Sequence, residues 1–243
     1  MARYAKMKLT ILGNNGPYPA NGGACSSYLL SSDSGNTNVL IECGTGMLAA
    51  LPKYISYNAL DAVILSHLHF DHMSDILPMQ YALQFHPRSE ALPIYCPATP
   101  EPVRALLNAP CYAAENIKDV QIGEIRFTFC PVRHPVETYA LRAECDGKVF
   151  IYTGDTNEIE CLDSFCAGAD VLLADAGLSQ ADWKAAAPHL SALGCGKLAA
   201  RCGAKKLLLT HLNPTYTAAQ HEAEARAAFA NCEFTRIGAS YHI

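Results

Sequence analysis

Short apolar runs, each closed by Gly, Pro, Asn or Ser, dominate the start of the chain and predict strands over 8–12, 26–30 and 39–42. Apolar positions recurring at helical spacing then predict helices over 73–84, 101–108, 191–202 and 218–230, the last rich in Ala and Glu. Between them, 62–65, 125–131, 139–144, 149–153, 171–174 and 206–210 have strand character. Two strand-rich blocks, each followed by helices, are satisfied when two sheets pack face to face with helices over their outer faces, because each sheet must bury both sides. The expected fold is therefore α/β, a four-layer αββα sandwich. No linker, low-complexity segment or short-period repeat divides the sequence, so residues 1–243 are expected to form a single domain.

Composition narrows the function. At 243 residues, 50% hydrophobic and 17% charged, the chain can bury a large core, which excludes a disordered protein. Its net charge of −5 has the wrong sign for a protein that neutralises nucleic-acid phosphates, so small substrates are favoured and no stable nucleic-acid complex is expected. Arg3, Lys6 and Lys8 precede too few apolar residues for a signal-peptide core, and no run approaches the roughly 18 apolar residues of a membrane span. A soluble, cytoplasmic protein is expected. The eleven cysteines are odd in number and never spaced Cys-x-x-Cys, which fits reduced thiols. Cys25, Cys43, Cys96, Cys130, Cys145 and Cys195 read as small core residues, not ligands.

The chemistry concentrates in Ala62-Val-Ile-Leu-Ser-His67-Leu-His69-Phe-Asp71-His72, an apolar strand running into three imidazoles and a carboxylate. In extended chain His67 and His69 point to the same side, and a turn after Phe70 lets Asp71 and His72 face back toward them. Other strand-like runs also end in donors: one reaches His134, another Asp155 and a third His211. A single histidine after a strand is more often a packing residue, and a single aspartate there can simply cap a turn. Five histidines and two aspartates at strand ends, however, exceed the four ligands of a structural zinc site and predict a dinuclear catalytic centre for zinc, with manganese or iron as alternatives.

These residues resemble the metallo-β-lactamase superfamily, whose signature is the His-x-His-x-Asp-His string followed by single His, Asp and His ligands. The resemblance spans nearly the whole chain. It implies two divalent ions, one bound by His67, His69 and His134, the other by Asp71, His72 and His211, with Asp155 bridging. It further implies a shared hydroxide as nucleophile, with Asp71 and Asp155 holding it and the ions in place. Asp175 after a strand, with Pro188-His189-Leu-Ser191, is similar to the phosphodiesterase branch that contains tRNase Z, which makes His189 the general acid and Asp175 the carboxylate that orients it. Left to themselves, His189 would cap the following helix and Asp175 would start a turn.

Relatives in that branch carry a tRNA-gripping arm between the residues matching His134 and Asp155. Here residues 135–154 are filled by two strands and a Gly turn, so the arm is expected to be absent. The resemblance thus points to the compact phosphodiesterases and a small, cyclic or nucleotide, phosphodiester. Competing expectations are a thioester, lactone or lactam hydrolase, a tRNA 3′-processing endonuclease, and a non-catalytic metal-binding protein. The loop 13–23 could bring backbone N–H groups to a phosphate, with Asn14 as a substrate-binding candidate and Tyr216 beside it. His86, His221 and His242 are left as surface or packing residues. Dimers are common in the superfamily, so a homodimer is one expected state.

Overall fold

The structure, a computed structural model, describes residues 6–20 and 22–243; Arg3 of the basic start and Asn21 of the glycine-rich loop lie outside them. The first sheet is built from β1 (Met7–Gly13), β2 (Ser27–Ser32), β3 (Asn38–Ile41), β4 (Ala62–Ile64), β5 (Leu92–Cys96) and β6 (Tyr112–Asn116). The second holds β7 (Val120–Ile122), β8 (Ile125–Pro131), β9 (Tyr139–Cys145), β10 (Lys148–Tyr152), β11 (Val171–Asp175), β12 (Lys206–Thr210) and β13 (Cys232–Phe234). The last strand, β14 (Ser240–His242), crosses back to pair antiparallel with β1, Lys8 opposite His242, so the spatial orders are β14-β1-β2-β3-β4-β5-β6 and β13-β12-β11-β10-β9-β8-β7. This is the αββα sandwich of the metallo-β-lactamase fold.

Alternating positions of the strands fill the layer between the sheets. Leu9, Ile11, Tyr28, Ile41 and Ile64 meet Phe127, Leu141, Phe150, Tyr152 and Leu173 there, all almost wholly buried. The opposite faces of β11 and β12, through Leu172, Ala174, Leu207 and Leu209, pack under α5 (Cys161–Phe165), α6 (Ala192–Cys202) and α7 (Ala218–Arg226). Both faces of these strands are therefore apolar, as their unbroken hydrophobic runs require. The outer face of the first sheet is covered by α1 (Met47–Ala50) and α3 (Ile76–Phe85), with α2 (Phe70–Met73) just before it and α4 (Glu101–Arg104) near the edge. No helix among the described residues is long and apolar enough to cross a membrane.

Three expected helices differ in extent. The run 73–84 divides into α2 and α3, because the Asp75 carboxylate at the break is committed to the Gly46 and Leu48 amides that open α1. The run 101–108 shortens to α4 and a 3₁₀ turn at Ala105–Leu107, and α7 stops at Arg226. The strands β5, β6, β7, β13 and β14 were not expected: the last three have only three residues each, β5 carries a proline, and β6 is Ala-rich with a polar end. All described cysteines are free, and of the six expected in the core Cys130 is the exception, half-buried with its Sγ 3.2 Å from that of Cys161.

Phe150 is fully buried between the sheets. We expect Phe150→Ala to destabilise the fold by about 3–5 kcal/mol, read from the denaturation midpoint.

Candidate metal centre

The donors emerge at one edge of the sandwich because the strands that carry them run the same way within each sheet. β3 and β4 are parallel, as are β10, β11 and β12, and β8 runs with β10 because both are antiparallel to β9. Glu42, His67 to His72, His134, Asp155, Asp175 and His211 all end or follow the C-terminal ends of these strands, where open α/β sheets place their sites.

Two donor groups form there. In the first, His67 Nε2 and His134 Nε2 each lie 3.1 Å from His69 Nδ1, three ring nitrogens with no proton-accepting partner between them other than one another. Tetrahedral zinc bonds of 2.0–2.1 Å would set neighbouring nitrogens about 3.3 Å apart, so the triad fits a cation with little adjustment. In the second, Asp155 Oδ2 is 3.2 Å and Asp71 Oδ2 3.5 Å from His72 Nε2, while His211 Nε2 is 3.9 Å from Asp71 Oδ2. Asp155 Oδ2 also stands 3.8 Å from His67 Nε2, between the two groups. The Nε2 of buried His72 lacks a hydrogen bond, an unmet need that a bound cation would satisfy.

The electrostatics ask for the same thing. Burial, reinforced by neighbouring imidazoles, holds His67, His69 and His134 below the usual histidine range, so their lone pairs are free to bind a metal. His72 is driven the other way: burial opposes its charge, but Asp155, Asp71 and Glu42 raise it well above the ordinary value. Asp155, although buried, is kept well below the carboxylate range by His211, His72 and His67. Among the described residues, the ion-pair partners of Glu42, Asp71, Asp155 and Asp175 are histidines alone. No lysine or arginine among the described residues supplies the positive charge that this cluster of carboxylates needs.

The rings are aimed by a second set of contacts. His67 Nδ1 lies 3.0 Å from Ser66 Oγ, and His134 Nδ1 donates to the Pro188 carbonyl at 3.1 Å. His72 Nδ1 faces Glu42 Oε1 at 3.3 Å, and Ser26 Oγ is 3.4 Å from His211 Nδ1. Such partners fix the tautomer and the direction of the metal-facing nitrogen. Glu42 and His211 both take left-handed backbone angles, φ 60° and 61°, strain of the kind that concentrates at functional sites. Gly16 packs so closely on His211 that a Cβ there would lie 2.0 Å from its ring.

Beside these groups, His189 Nδ1 donates to Asp175 Oδ2 at 2.9 Å and lies 3.8 Å from Asp155 Oδ2. Asp175 is fully buried and accepts from the Thr156 and Gly177 amides, at 3.0 and 2.9 Å. Burial alone would lower the His189 pKa, but the charge and hydrogen bond of Asp175, then Asp155, raise it to about 9. The ring stacks on His211, with centroids 4.9 Å apart.

Both substrate-binding candidates turn out to be engaged elsewhere. The Asn14 side chain is buried and its Nδ2 donates to the Thr235 carbonyl at 2.6 Å, while the Asn14 backbone carbonyl accepts from Leu212 N, so the residue fastens the His211 loop. Tyr216 donates its hydroxyl to Asp182 Oδ2 at 2.7 Å and packs its ring on His221. His221 is wholly buried packing, as expected. Glu42 was missed as a site residue, although Val39-Leu-Ile-Glu42 shows the same signal as Asp155 and His211, a buried strand ending in a polar residue.

A metallo-β-lactamase-type sandwich with two metal-donor groups at its strand ends is thus the class of protein that fold and site define. Residues 37–212 match the Beta-lactamase superfamily domain, and the chain belongs to that superfamily. It is similar to the probable metallo-hydrolase YhfI of Bacillus subtilis, 35% identical over 214 residues that cover 85% of this chain and 87% of that protein. The YhfI crystal structure aligns with a TM-score of 0.91 at 31% identity, covering 97% of this chain and 99% of the other. The short form of human tRNase Z (TM-score 0.80, 16% identity, 97% and 99% covered) and a diphosphatase from the PhnP family (0.78, 19%, 98% and 97%) share the fold.

Because Glu42 directs His72 from behind, Glu42→Gln should weaken ion binding at the Asp71, His72, Asp155 and His211 group by about 10–100-fold. Competition with a metal chelator measures it.

Proposed function

We propose that the chain is a metal-dependent phosphodiesterase acting on a small phosphodiester, cyclic or nucleotide. Two divalent ions, zinc foremost with manganese or iron as substitutes, would be held by His67, His69 and His134 and by Asp71, His72 and His211, with Asp155 between them. When bound, the ions supply Lewis acidity and a water acidified to near-neutral pH.

The observation that carries the reading is the His189–Asp175 pair, 2.9 Å apart and directly beside the donor groups. A departing alkoxide needs a proton, and an imidazolium whose Nδ1–H is held by a buried carboxylate can deliver one from Nε2. Asp71 Oδ2, on the less enclosed side of the site, accepts a hydrogen bond from the attacking water. One P–O bond forms to that water, whose proton is released to solvent, while the P–O bond to the leaving group breaks and His189 protonates the leaving oxygen, to be reprotonated from solvent. No covalent intermediate on the chain is required.

The size of the substrate follows from the segment between His134 and Asp155. It is taken up by β9, a turn at Asp146-Gly147, and β10, which pair with each other along their length. No arm projects from it to grip a tRNA, in keeping with the net charge of −5.

Turnover of bis-p-nitrophenyl phosphate, set against nitrocefin and a thioester, tests the reading. Phosphodiester hydrolysis by the zinc- or manganese-loaded protein is expected, and lactam or thioester turnover without it would overturn the proposal. His189→Ala should lower kcat by about 10²–10⁴-fold while both ions are retained, since the ring donates a proton and binds no metal. Metal analysis alongside kinetics checks this. A pH profile supplies a further test. The acid must be protonated, so activity is lost as pH rises through the His189 pKa, which lies at or below about 9 because bound cations would pull it down. Asp175→Asn removes the charge that raises it, and the alkaline limb should move to lower pH.

A further inference from the structure

The backbone around 183–188 carries two elements of the site at once. Its Pro188 carbonyl receives the Nδ1–H of His134, and the next residue is His189. This stretch is mostly exposed and lacks helix or strand of its own. What fixes it is Asn157, two residues beyond Asp155 and fully buried. The Asn157 Nδ2 group donates toward three carbonyls of this stretch, those of Lys184 at 3.1 Å, Ala185 at 3.3 Å and Ala187 at 2.6 Å. Its Oδ1 accepts from the indole Nε1 of Trp183 at 2.9 Å and from the Glu158 amide at 2.6 Å. Its backbone amide donates to Arg133 O at 3.1 Å, immediately before His134.

One residue therefore ties together the segments that bear His134, Asp155 and His189, its carboxamide holding the stretch before His189 and its backbone amide the stretch before His134. Only an amide meets this demand: the loop presents carbonyl oxygens, which need a donor, and the indole and the Glu158 amide need an acceptor. Both needs are met inside the protein, where leaving either unmet is costly.

We propose that Asn157 is a positioning residue, which sets the aim of the His189 acid and, through Pro188, the tautomer of the metal-facing His134. The inference rests on the acid role proposed above for His189, but the hold on His134 does not. Trp183, the single tryptophan of the chain, sits on the clamp and reports its state by fluorescence.

Asn157→Asp is the test, since it keeps the shape and sets an oxygen against three carbonyl oxygens. With far-UV circular dichroism unchanged, three results are expected: Trp183 emission shifted to longer wavelength with stronger acrylamide quenching, zinc retained about 10-fold less tightly against a chelator, and kcat at saturating zinc lowered about 10-fold with KM little changed. In a His189→Ala background the same substitution should cost kcat almost nothing further. Wild-type emission and zinc retention, or a kcat loss undiminished in that background, would overturn the proposal. If Asn157→Asp does not fold, Trp183→Phe decides, removing one donor from the clamp: weaker zinc retention supports the role and wild-type retention overturns it. Should the wild-type protein hydrolyse no phosphodiester, the proposed activity falls, and the emission and zinc measurements still decide the place of Asn157.

Discussion

Four carboxylates gathered at one edge of the sandwich, with imidazoles as their only ionic partners among the described residues, are the constraint around which the rest is arranged. Bringing Glu42, Asp71, Asp155 and Asp175 so close would be prohibitive without positive charge between them. The His189 imidazolium supplies part of it, and a divalent ion in the donor groups, taking the place of the proton that the carboxylates favour on His72, supplies the rest. The apolar strands serve this end, since they project polar residues from the rigid ends of a packed core, which keeps like charges at fixed separations.

The architecture was largely readable in advance wherever residues follow a strong period. The strands of the two sheet centres are long apolar runs buried on both faces, and their pattern leaves little choice. The short outer strands β7, β13 and β14 owe their form to pairing with a neighbour, which no local pattern of three residues can announce. The division of the expected helix over 73–84 likewise depends on a partner distant in sequence, the opening amides of α1.

The same distinction separates the site residues. The seven donors were legible because each is a polar residue closing a buried strand or belongs to one compact string, and the fold brings all seven together. Glu42 carried the signal and was passed over as part of a strand. Asn14 was chosen because its loop follows the first strand and could bring backbone N–H groups to a phosphate, and Tyr216 because it lies shortly after His211; Thr235 holds the Asn14 Nδ2 and Asp182 the Tyr216 hydroxyl. Asn157, Pro188 and Gly16 act through close approach across the fold, and nothing in their own neighbourhood of sequence marks them.

The Thr156 amide, next in the chain to Asp155, donates to the same Asp175 oxygen that holds His189. Asp155, the proposed metal bridge, and His189, the proposed acid, are thereby geared to one another through a single shared atom. A substitution that re-aims one drags the other with it, so divergence toward new leaving groups within this scaffold would have to proceed through the exposed side chains that the clamped segment before His189 presents to solvent, leaving the gearing behind it untouched.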